Sequence, residues 1–173
     1  MLLPALFIIL NSFSVSACDE PTWQRYAPTD ARFEVSMPAD PTVSIKYVDT
    51  DGNFLPVNMV SAHPDFRDDF EVAWTDYSKT SKKPRATDHT FDMMRDALAD
   101  SKNATILSER QVTMHGNRGR SMRMRTDDGQ LVDVIFLVTR SRVYQVMAQT
   151  RSGDEPNADR QRFLGSFKLN SDD

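Results

Sequence analysis

At 173 residues, with 25 acidic against 21 basic side chains and a formal charge of −4, the chain has the length of one domain. That balance argues against general nucleic-acid binding, which needs a clustered basic face. Ten Phe, two Trp and four Tyr, with 39% hydrophobic and 27% charged residues, exclude a disordered or low-complexity chain, and a single cysteine excludes an internal disulfide.

The first element reads as a processing segment. Leu2 to Leu10 is an uncharged apolar run followed by the small, polar stretch Asn11 to Ala17. It is too short to span a bilayer, which takes about 20 apolar residues, and it suits the apolar region of a signal peptide. No Lys or Arg precedes it, a departure from the usual positive start that points to a true start codon upstream of Met1. The run Val15-Ser16-Ala17-Cys18 resembles a bacterial lipobox, in which residues 1–17 are removed and the cysteine thiol carries diacylglycerol. Lipidation of Cys18 accounts for the odd cysteine, and its two acyl chains meet the two-signal requirement for stable anchoring. Asp19 resembles the inner-membrane retention signal of enteric lipoproteins. The expected location is therefore the periplasmic face of a bacterial cell envelope, with the inner membrane favoured.

Removal of the first 17 of 173 residues leaves 156, read as a tether (18–31), one domain (32–170) and a short tail (171–173). Trp23 and Tyr26 pin the tether to the domain. Arg32–Met37 alternates Phe33, Val35 and Met37 on one face and stops at Pro38, the pattern of a half-buried strand. Thr42–Asp49 repeats it with Val43, Ile45 and Tyr47, and the Asp51-Gly52 turn predicts a hairpin into Phe54–Ala62. Pro56 places that partner at an edge or bulge. Phe70, Val72 and Trp74 mark a fourth strand, ending near Tyr77.

Beyond the polar loop 78–88 the period changes. Phe91, Met94 and Leu98 stand at helical spacing, with Thr87 or Asp88 as N-cap and an end near Asp100. Three or four strands follow, over Thr105–Met114, Arg118–Thr126, Leu131–Thr139 and Arg142–Thr150, then a short helix over Ala158–Gly165. The middle hairpin has a register that side-chain chemistry decides. A three-residue loop, Asp127-Asp128-Gly129, sets Met122 against Val134, Met124 against Val132 and Arg123 against Asp133. A two-residue turn would set Met124 against Asp133 and Arg125 against Val132. Favourable pairs are worth about 0.2–1 kcal/mol each, so the first register is expected, with methionines inward and arginines outward. The fold class is α+β, an antiparallel sheet of about seven or eight strands with a middle helix and a C-terminal helix packed on it.

This order of elements, with Tyr26 through Pro38, the strand Arg142-Val143-Tyr144-Gln145-Val146 and the close Phe163-Leu164-Gly165-Ser166-Phe167-Lys168-Leu169, resembles the PsbP-like fold. That fold is shared by the photosystem II extrinsic protein, Mog-type Ran-binding proteins and small bacterial lipoproteins of the DcrB type. The resemblance implies a PsbP-like sandwich and an accessory or binding role without catalysis. Its motifs are packing motifs and carry no functional residue onto this chain.

Candidate chemistry is sparse. There is no Gly-x-Ser-x-Gly elbow, phosphate loop or His-Glu-x-x-His, and no cofactor is expected. His63, His89 and His115 lie in or beside loops, so only geometry could reveal a Ser-His-Asp triad. His63, Asp65, Asp68 and Asp69, with Glu71, form a dense run of hard metal ligands whose plainer reading is a solvated acidic turn. Met114, Met122 and Met124 around His115 would suit Cu(I), although alternating Met usually fills a core. Lys79, Lys82, Lys83 and Arg85, with Arg118, Arg120, Arg123 and Arg125, could face an anionic surface or simply a solvated one. The expected function is a non-catalytic, lipid-anchored envelope accessory or binding protein. Its partners are the membrane through Cys18 and an envelope protein, with no nucleic acid. A periplasmic metal-binding protein is the alternative, and a hydrolase the second alternative.

Overall fold

Two-residue alternation sorts this chain into sheets, because each strand must place one set of side chains in a core. The computed structural model describes residues 22–38, 40–50, 53–64, 68–80, 83–151 and 157–170. Along them run β1 (Trp23–Tyr26), β2 (Phe33–Pro38), β3 (Thr42–Thr50), β4 (Asn53–Ala62), β5 (Asp68–Asp76), α1 (Asp88–Lys102), β6 (Ala104–Met114), β7 (Asn117–Thr126), β8 (Leu131–Val138), β9 (Arg142–Thr150), α2 (Ala158–Ser166) and β10 (Lys168–Leu169). Seven strands form one antiparallel sheet in the order β3-β4-β5-β9-β8-β7-β6, and β1-β2-β10 form a second.

The middle of the large sheet is covered on both sides. On one face Val60, Phe70, Val72, Leu137, Tyr144 and Val146 meet Phe33, Val35 and Met37 of β2 and Phe163 of α2. Phe33 is the hub of this layer. Its ring lies 5.3 Å from Trp74, 5.5 Å from Phe167 and 6.2 Å from Tyr144, in edge or tilted contacts worth about 0.5–1.5 kcal/mol each beyond burial. The Tyr144 hydroxyl donates to the Ala31 carbonyl at 3.0 Å, so the buried ring leaves no orphaned polar atom there. On the opposite face Met122, Met124, Val134, Phe136 and Met147 meet Phe91 and Leu98 of α1. The α+β class with two packed helices is thus observed, and the sandwich has a helix outside each face.

The predicted hairpin register holds: Met122 faces Val134, Arg123 faces Asp133 and Met124 faces Val132. Gly129 takes the left-handed conformation the three-residue loop requires (φ 85°), and its N–H donates to the Thr126 carbonyl at 2.9 Å. Thr87 caps α1, accepting from the Thr90 N–H, and left-handed Asn103 follows its last residue, Lys102, which lies two residues beyond the expected end.

Three expectations need correction. The stretch read as a tether contains β1, which pairs with β2 from Trp23 opposite Pro38 to Tyr26 opposite Val35. The second sheet, completed by β10, had no counterpart in the predicted strands. β4 is an interior strand, yet it pairs with β5 only over Asn58–Ala62. Pro56 lies in the half bonded to β3 alone, where its missing N–H costs nothing on the β5 side.

Two positions carry unusual weight. A Cβ on Gly119 would come within 2.6 Å of the Phe136 carbonyl oxygen, a backbone atom that cannot yield cheaply. Gly119→Ala is therefore expected to cost about 1–3 kcal/mol in urea unfolding, the range of overpacked sites. Asp133 accepts from Arg123 Nε at 2.8 Å and lies 2.9 Å from Nε of buried Arg160 on α2. Asp133→Ala would strand the Arg160 charge, and a loss of about 3 kcal/mol is expected by the same measurement. A loss under a third of that would show the pair to be solvated.

Candidate functional site

The position of α1 decides what the sheet leaves open. Arg118 and Arg120 of β7 share the face of Met122 and Met124, and both reach up to the helix. Asp88 accepts from Arg118 at 2.6 Å and from Arg120 at 3.0 Å, while Asp92 takes a second Arg120 nitrogen. Both guanidinium groups stack on Phe91, at 5.9 and 5.4 Å from its ring centre. These contacts hold α1 over β6 and β7. The α1 side of β3, β4 and β5 is left partly uncovered.

A groove of about 560 Å³ runs along that uncovered strip. One wall is the α1 flank at Met94, Ala97 and Leu98; the other is Val48, Val57 and Met59 of the β3–β4 hairpin. Ala73, Phe136 and Met147 extend the apolar lining, in which Glu71 stands with Gln145, Lys46 and Lys102. Burial pushes the Glu71 carboxyl above its ordinary range, against the opposing pull of Lys102 and Lys46 and a 3.4 Å bond from Gln145 Nε2. Lys102 Nζ donates to Gln149 Oε1 at 2.7 Å. An apolar trough with a few convergent polar groups is the usual form of a small-ligand site.

A second groove, of about 680 Å³, lies on the other face between α2 and the β6–β7–β8 strands. Its floor is the Arg123–Asp133–Arg160 cluster, beside Ser121 and Ile135. Here Asp133 answers two arginines at once, Arg110 adds a third cation to the lining, and the Asp133–Arg160 pair braces α2.

The residues singled out from the sequence are scattered by this geometry. Cys18, Asp19, Asp65 and Lys82 lie outside the described residues. His63 Nδ1 and Asp69 Oδ1 meet at 2.8 Å, but Asp68 projects to the opposite face of β5, where Asn157 Nδ2 bonds it at 3.3 Å. Among the described residues, no three His, Cys, Asp or Glu side chains gather as a metal site. The sheet also separates the methionines: Met122 and Met124 pack under α1, and Met114 packs in the other core.

The arginines of β7 do not form one outward row. Arg118 and Arg120 belong to the α1 face, Arg120 being only 6% exposed, and Arg118 also donates to the Ala86 carbonyl at 3.0 Å. That contact brings them beside the loop bearing exposed Lys83 and Arg85, with Lys79 exposed farther back. Arg123 and Arg125 stand on the opposite face. Alternation causes the split, since Arg120 and Arg123 are three residues apart on one strand. Sequence reasoning missed the α1 groove entirely, except that it placed Met94 and Leu98 on the helix. Glu71, alternating with Phe70 and Val72, was the available signal.

Among the described residues no helix is long and apolar enough to cross a membrane. No known family profile matches the chain, and no curated protein resembles it in sequence at a significant level. Among solved structures it is similar to the solution structure of cyanobacterial PsbP (CyanoP) from Synechocystis sp. PCC 6803, with a TM-score of 0.51 and 16% identity over 92% of this chain and 98% of that one. A crystal structure of a Pseudomonas aeruginosa protein of unknown function aligns with a TM-score of 0.38 and 13% identity, over 74% of this chain and 82% of that one. The CyanoP likeness shows the fold: this chain has the PsbP-like architecture.

Proposed function

We propose that this protein is a non-catalytic binding module of the bacterial cell envelope, tethered by a diacylglyceryl group on Cys18, with the α1 groove as its ligand seat. The observation that carries the reading is Glu71, a carboxyl held in a mostly apolar trough between two lysines. A half-buried carboxyl whose pKa is raised by desolvation weakens the fold, and such groups cluster at binding sites. An apolar body with a polar or anionic head matches the lining, the body against Met59, Met94 and Met147 and the head toward Lys46 and Lys102. The tether fits the lipobox-like run before Cys18, and the whole arrangement fits a small lipoprotein of the DcrB type.

The sign of the Glu71 effect is fixed. A carboxyl whose folded pKa is raised imposes no penalty below its unfolded value of about 4.3, and the full penalty above its folded value. Glu71→Gln is therefore expected to unfold at a higher temperature than the parent at neutral pH, with the gap closing as the pH falls toward about 4. A gap that is constant with pH would remove Glu71 from the argument.

Anilinonaphthalene sulfonate, an apolar body bearing an anion, is a direct probe of the seat. One bound probe per chain is expected by fluorescence titration, lost in Ala97→Trp and weakened in Lys46→Glu. Undiminished binding by Ala97→Trp would sink the groove assignment. For the tether, Cys18→Ser is expected to abolish incorporation of labelled fatty acid and release the chain from bacterial membranes. Persistent labelling would place the lipid elsewhere.

A further inference from the structure

The two edges of the seven-stranded sheet are unlike. β6 closes one edge with exposed Ile106 and Leu107, but its pairing shifts register between Ile106 and Ser108 and continues through the polar run Ser108–Gln111, features that discourage strand addition. β3 closes the other as a strand of nine residues, Thr42–Thr50, paired without interruption to β4. Its odd-numbered residues carry an apolar row: Val43 is 58% exposed, Ile45 54% and Tyr47 68%, continued on the same face by Phe54 at 68%. An uninterrupted edge beside four large exposed side chains is the surface that strand pairing covers.

The residues of β3 also specify the partner. In an antiparallel pair that continues the sheet with the same face outward, each residue must stand opposite one of the same parity. With Lys46 opposite Lys46, like charges meet, and with Tyr47 opposite Tyr47, Ile45 faces Asp49. With Ile45 opposite Ile45, Val43 faces Tyr47 twice, Lys46 faces Ser44 twice, and no like charges stand directly opposed. The strand is self-complementary in this register, as a two-fold interface requires.

We propose that β3 pairs antiparallel with β3 of a second copy of this chain, Ile45 against Ile45, to form a two-fold dimer with a continuous sheet. The inference is independent of what the α1 groove binds and of the lipid on Cys18. The test is sedimentation equilibrium of the full chain carrying Cys18→Ser. A concentration-dependent dimer is expected, and Ile45→Lys should weaken it by at least about tenfold while leaving the thermal unfolding temperature unchanged, because the side chain faces solvent in the monomer. On the same background, Ile45→Cys should form an intermolecular disulfide under mild oxidation. Asp49→Cys should not, since the register places residue 49 opposite Pro41 and far from its own copy. Four results overturn the proposal: a monomer at every soluble concentration, a dimer indifferent to Ile45→Lys, cross-linking of Asp49→Cys as fast as Ile45→Cys, or a monomer whose binding to phosphatidylethanolamine–phosphatidylglycerol vesicles depends on Ile45. The last would assign the row to a lipid surface.

Discussion

Buried Arg120 is the constraint on which the functional surface depends. Its guanidinium leaves water only because Asp88 and Asp92 on the first turns of α1 accept its protons and the Phe91 ring covers its plane. Removing both aspartates would leave that buried charge with Glu109 at 3.7 Å in their place. Because β7 is firmly paired with both β6 and β8, the position of Arg120 is set by the sheet, and α1 must come to it. The helix is thus held toward one side of its sheet face, and the groove beside β3, β4 and β5 follows from that displacement.

The two grooves show why volume alone does not identify a site. The larger one, under α2, is floored by Asp133 bonded to two arginines, one of which, Arg160, fixes the helix to the sheet. The smaller one keeps Glu71 in a mostly apolar lining, with a long bond from Gln145, two lysines and Asp69 acting on it. Polar groups that complete each other brace the fold, whereas a carboxyl kept at a cost to folding is the stronger mark of a binding site. The PsbP-like architecture supplies both helices and both grooves, and the chemistry lies in which residues line them.

Much of this fold was legible because its signals are local. Arg142–Thr150 was read to the residue, and the β7–β8 register followed from Met122, Arg123 and Met124 facing Val134, Asp133 and Val132 across a three-residue loop. β1 and β10 escaped because neither has a period of its own. Four residues at Trp23–Tyr26 and two at Lys168–Leu169 become strands only through β2, whose Phe33 pairs with a residue near the other end of the chain. The arginine row was misread as one face although its parity was in plain sight: Arg118 and Arg120 alternate with Met122 and Met124, while Arg123 and Arg125 do not. The α1 groove was beyond reach, since its lining runs from Lys46 to Met147 through hairpin, sheet and helix, and no local pattern joins residues so distant.

The β3–β4 hairpin connects the two surfaces argued above. Lys46 and Val48 line the groove with Val57 and Met59, while Val43, Ile45 and Tyr47 form the edge row with Phe54 on the opposite face. One arm therefore presents alternate residues to two different surfaces, as strand geometry permits. That arm joins the rest of the sheet through only five residue pairs, Asn58–Ala62 with β5, so its outer half is the least supported part of the groove wall. A tilt of the hairpin that narrows the groove around a ligand must also reorient the edge strand, because β3 and β4 are bonded along nine residue pairs and move as one ribbon. Pairing of two β3 edges would brace both arms at once, which couples the shape of each ligand seat to the presence of the second copy.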